Sequence, residues 1–135
     1  MTHFTRLRRS QGFTLIEMLV VMALIVVLAS VGLIAYRTSV QRGREAVLKE
    51  DLYRMRDAID QYHADKGKYP NDLNELVATS YIRRIPVDPI TGSSETWQLV
   101  QAEPDPSNPN AESGINDVKS GSEAAGMDGT NYADW

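Results

Sequence analysis

Glu17 is a lone carboxylate inside the run "GFTLIEMLVVMALIVVLASVGLIAY", where every residue from Met18 to Tyr36 is apolar or small. An unpaired acid in such surroundings either holds its proton or seeks a cation, because a carboxylate at a helix centre in lipid costs about 2.5 to 3.5 kcal/mol. It can also snorkel to the headgroups from near the helix start. A second concentration of reactive groups lies at the far end. After Arg84 the acids Asp88, Glu95, Glu103, Asp105, Glu112, Asp117, Glu123, Asp128 and Asp134 face one base, Lys119. That balance suits a cation and argues against nucleic acid, which is held largely by basic patches. His3 and His63 are the only histidines and there is no cysteine. A disulfide framework and a thiolate metal site are therefore excluded. A histidine-dependent triad or zinc site would have to be built on His63, which lies among ordinary surface residues of a helix.

The elements that position these groups follow from periodicity. Counted from Phe13, the apolar run spans roughly 36 Å as a helix, against a hydrocarbon core of about 30 Å. Arg6, Arg8 and Arg9 precede it without an acid among them, so the positive-inside rule leaves the N-terminus in the cytoplasm and exports the C-terminal body. A secretory signal with a cleavage site near Ala29 is the alternative. The run is longer than the usual apolar region of about 7 to 15 residues, and Glu17 falls where that region should be purely apolar.

Beyond Tyr36, Leu48, Leu52, Met55, Ile59 and Tyr62 recur at steps of four and three, the stripe of an amphipathic helix packed on a small core. Glu45 to Lys49 and Glu50 to Arg54 stand at the favourable i,i+4 order. Gly43 is a point where the helix could loosen. Gly67 and Pro70 end it near Lys66. "NDLNELV" reads as a short helix capped by Asn71 or Asp72 with Glu75 near its third position. "IPVDPITG" is a turn-rich connector, "TWQLVQAE" and "GINDVKS" read as strands, and "PDPSNPNAESG" between them is loop. The fold class expected is α+β: a long N-terminal helix, transmembrane in its first half and amphipathic in its second, packed on a small antiparallel sheet.

"GFTLIEMLVV", Gly12 to Val21, closely resembles the processing signal of type IV pilin-like proteins: a short basic leader, a glycine, a phenylalanine, and an acid five residues into the mature chain. "KGKYPNDLNEL", "IPVDPITG" and "DGTNYADW" resemble the head of type II secretion major pseudopilins. The resemblance implies a cleaved leader over residues 1–12, a transmembrane and filament-core helix over residues 13–36, and a periplasmic head over residues 37–135. It implies cleavage between Gly12 and Phe13 by a prepilin peptidase, N-methylation of Phe13, and assembly in which Glu17 meets the Phe13 ammonium of a neighbouring copy. The partners implied are further copies, minor pseudopilins, the peptidase and methyltransferase, and an inner-membrane assembly platform with its ATPase.

The implied role is structural, without catalysis: a subunit of a pseudopilus that grows from the inner membrane and drives folded proteins across the outer membrane. The alternatives are a type IV pilus major pilin, serving adhesion, motility, DNA uptake or electron transfer, and an anchored periplasmic domain that never polymerises. The resemblance further implies one calcium ion in the C-terminal loop. Asp117, Glu123, Asp128 and Asp134 are the matching oxygen donors, Asp117 and Asp128 foremost, with Ser120 and Ser122 nearby. Carboxylates and loop carbonyls suit that hard cation. The adjacent acid pair common in the family's loop is absent, and a solvated acidic loop is the other reading.

Overall fold

The computed structural model describes residues 12–135; residues 1–11, with His3, Arg6, Arg8 and Arg9, lie outside the described residues. Two compact units divide between Thr38 and Ser39. Helix α1, Leu15–Lys66, supplies the described secondary structure of the first and the opening element of the second.

In the first unit the helix is started locally. Thr14 stands at its N-terminus with its hydroxyl accepting from the Glu17 amide at 3.2 Å and its carbonyl accepting from the Met18 amide at 3.1 Å. These contacts satisfy amides that a helix start otherwise leaves without partners. The large apolar side chains from Leu15 to Ile34 are exposed on every face, and α1 is long and apolar enough to cross a membrane. A helix apolar all round needs an apolar surrounding. Ser30, the polar side chain within the span, donates to the Val26 carbonyl at 2.8 Å, so its hydroxyl is satisfied inside the helix.

In the second unit α1 runs without a break through Gly43, so the expected loosening does not occur. A helical glycine costs only about 1 kcal/mol, and the stripe that follows buries far more. Leu48, Leu52, Met55, Ile59 and Tyr62 are buried as the periodicity predicts, with Ala58 beside them. The helix stops at Lys66 where Gly67 adopts a φ of 71°, a left-handed conformation that glycine takes without strain.

Helix α2, Leu73–Ala78, is capped by Asp72, whose carboxylate accepts from the Glu75 amide at 2.8 Å. Glu75 reaches back to the Asn71 amide at 2.6 Å and also accepts from the Tyr62 hydroxyl at 2.6 Å. The cap thus pins the short helix to α1. Strands β1, Gln98–Gln101, and β2, Ile115–Lys119, pair antiparallel, Leu99 opposite Val118 and Val100 opposite Asp117. The register slips between Val100 and Gln101, which faces Ile115. This bulge reverses side-chain parity, so Ile115 and Val118 both enter the core although strict alternation would put them on opposite faces. Leu73, Leu76, Trp97 and Tyr132 complete the core. The architecture is α+β.

Candidate functional site

At the N-terminal end Gly12 has no heavy atom within 4 Å of where a side chain would begin, and Phe13 is 76% exposed. The Gly12 to Phe13 bond therefore precedes the helix on open backbone. Glu17 lies in the first turn of α1 rather than at a helix centre, so the full central-insertion cost does not apply to it. An acid there faces the positive end of the helix dipole. The Thr14 cap was missed in the sequence, although "TLIE" carries the spacing of a capping box.

At the C-terminal end the chain folds into a narrow turn. The Gly126 amide donates to the Thr130 carbonyl at 2.7 Å and the Tyr132 amide to the Ala124 carbonyl at 2.9 Å. A single 3-10 turn, Tyr132–Asp134, closes the segment. Side chains of α1 hold it. Glu45 accepts from the Met127 amide and from the Tyr132 hydroxyl, each at 2.8 Å. The Lys49 ammonium stands 4.7 Å from the centre of the Trp135 ring, within cation–π range. The expected Glu45 to Lys49 pair is thus replaced by contacts with the C-terminal turn. Glu50 and Arg54 do pair, at 2.8 Å on the exposed face.

The four acids expected around calcium are not gathered. Asp117 accepts from Arg56 Nε at 2.6 Å and from the Val118 amide at 2.8 Å. Asp128 accepts from the hydroxyl and amide of Thr130 at 2.7 and 3.0 Å, and these bonds, the hydroxyl first, hold its carboxyl below the ordinary range. Glu123 and Asp134 lie on the surface. Among the described residues no three acidic, histidine or cysteine side chains stand close enough to hold one ion. Ser120, expected near the loop site, is fully buried and donates to Asp88 at 2.6 Å. His63 stacks on Tyr69, with ring centres 4.1 Å apart.

A cleft of about 600 Å³ opens beside this cluster, lined among others by Lys49, Arg56, Asp128, Thr130, Asp134 and Trp135. It carries two cations and two carboxylates. That composition makes it a place where charges already balance.

Residues 7–33 match the prokaryotic N-terminal methylation motif. The chain is 30% identical to the type II secretion system core protein G of Klebsiella michiganensis over 110 residues, 69% of this chain and 75% of that protein. It is 30% identical to that of Klebsiella pneumoniae over 99 residues, 62% of this chain and 71% of that protein. The fimbrial protein EcpC of Eikenella corrodens is 37% identical over 62 residues, 46% of this chain but only 40% of that protein's own length. No solved structure matches. Similarity at this level over most of both sequences, together with the methylation motif at the start of α1, means that the chain belongs to the type II secretion system core protein G family.

Proposed function

We propose that the chain is a structural subunit of a type II secretion pseudopilus, catalysing nothing itself, which polymerises from the inner membrane to drive folded proteins across the outer membrane. The observation that carries this reading is α1 itself. Its apolar first half is exposed on every face and bears one acid, a single turn from Phe13. Lipid covers such a surface in the free subunit, and identical helices cover it in a filament.

On this reading the peptidase cleaves after Gly12 and Phe13 is methylated. Glu17 then meets the new Phe13 ammonium of a neighbouring copy and sets the axial register of the two helices. Register is the larger effect, since desolvating both charges offsets much of their attraction. The head lies in the periplasm, and the leader arginines that orient the precursor leave with the leader. Minor pseudopilins, the assembly platform and its ATPase are the remaining partners.

The similarity to a fimbrial protein favours a second reading as a type IV pilin, but it covers less than half of either chain. Deleting the gene and assaying secreted enzymes beside twitching and surface pili separates the two. Lost secretion with intact pili is expected, and the reverse transfers the chain to the pilins. Glu17→Gln is expected to leave the mature mass that of a chain starting at methylated Phe13 while filaments disappear. Normal filaments from that variant would remove the register role and favour an anchored domain.

A further inference from the structure

We propose that Arg56 is the resident cation of the C-terminal segment, and that the head holds this segment in place without a divalent metal. The Arg56 guanidinium gathers three oxygens from two separate parts of the chain. Nε donates to Asp117 Oδ1 at 2.6 Å, and Nη2 donates to the Val118 carbonyl at 3.0 Å and to the Trp135 main-chain oxygen at 2.7 Å. A side-chain carboxylate and two main-chain oxygens, brought together from β2 and the C-terminal turn, are the kind of donor set a hard cation collects. Here the planar fork of an arginine on α1 takes them instead.

The surroundings reinforce the exchange. Asp128 is committed to Thr130. The cleft that an ion would enter already presents Arg56 and Lys49, and the Lys49 ammonium lies over the Trp135 ring. A divalent ion there meets two positive charges beside the carboxylates of Asp128 and Asp134. Arg56 and Asp117 keep only 34% and 35% of their side-chain exposure, so solvent and salt screen their attraction less than they screen a surface pair's. The calcium implied by the sequence resemblance thus has its structural task performed by a side chain. This holds whichever filament the subunit builds.

The two tryptophans, Trp97 and Trp135, both lie in the second unit, so their fluorescence follows the head's melting in the full chain held in detergent. The wild-type chain is expected to melt within about 1 °C of the same temperature in calcium chloride and in EDTA. Arg56→Gln is expected to melt about 5 °C or more lower in both solutions, and Arg56→Lys to recover only part of the loss, since an ammonium keeps the charge without the fork. Calcium raising the wild-type midpoint by about 5 °C or more over EDTA, or Arg56→Gln melting like wild type, would overturn the proposal. Should Arg56→Gln fail to fold, hydrogen exchange of the wild-type Gly126 and Tyr132 amides decides it. Equal protection in calcium and EDTA supports the proposal, and faster exchange in EDTA sinks it.

Discussion

Asp88 is a fully buried acid with no cation among its hydrogen-bond partners. Its Oδ2 accepts from the Ser120 hydroxyl at 2.6 Å, and its Oδ1 accepts from the amides of Ile90 and Thr91 at 2.8 and 3.4 Å. Its backbone closes the same turn: its amide donates to the Ser93 carbonyl and its carbonyl accepts from Gly92. The carboxylate therefore ties the "IPVDPITG" connector to the end of β2, three residues beyond the Asp117 that Arg56 holds.

Asp88→Ala removes these acceptors and strands the Ile90 amide and the Ser120 proton in the interior. At about 1 to 3 kcal/mol for each stranded group, the expected loss is about 3 to 5 kcal/mol. At about 4 to 8 °C per kcal/mol for a unit of this size, that is a fall of about 12 °C or more in tryptophan-monitored melting. Ser120→Ala leaves Oδ2 without its donor and the Ser122 amide without its acceptor, and should cost about 1 to 3 kcal/mol. Asp88→Asn should be milder than Asp88→Ala, because its amide oxygen still accepts from Ile90 and its amide nitrogen can donate to the Ser120 oxygen. The double variant Asp88→Ala with Ser120→Ala should lose about 1 kcal/mol less than the two singles together, since the Oδ2 and the hydroxyl that the singles leave unpaired are then both gone. Additive losses, or an asparagine variant as unstable as the alanine variant, would refute this account.

Two further outcomes test other parts of the head. The Asn71 amide, and after it the Tyr62 hydroxyl, hold the Glu75 carboxyl below its ordinary value of 4.5. A depressed carboxyl stabilises the fold above that value and loses the contribution as pH falls through its lower folded value. Wild type should therefore weaken more steeply than Glu75→Gln on acidification from about pH 5 to pH 3, and parallel curves would contradict the cap's role. At Gly121 a Cβ would run into the Thr96 carbonyl, so Gly121→Ala should cost about 1 to 3 kcal/mol in a urea titration; an unchanged midpoint would show that the backbone yields freely there.

Much of the molecule was legible in the residues because the signals were local. The apolar run, the stripe from Leu48 to Tyr62, the stop at Gly67 and the Asp72 cap each depend on neighbours within about one or two helical turns. The strands were legible in place but not in parity. The bulge that turns both Ile115 and Val118 inward is forced by what the sheet packs against, not by the order of residues within the strand. The acids of the C-terminal segment were legible as charge, but the pairing of Asp117 with Arg56 was not, because Arg56 precedes it by 61 residues.

By itself the sequence determined that this chain has one apolar helix able to span a bilayer, an acid near its start, and a small α+β head. Repeats of three to four residues and the bare shortage of polar groups suffice for that. Tertiary structure decided what each charge does. Glu45 turned from its helical neighbour to the C-terminal turn, Asp88 and Ser120 closed on each other in the interior, and Arg56 took Asp117 and two main-chain oxygens. Charge is a property of composition, but the partner of a charge is set by which surfaces the burial of the core brings together.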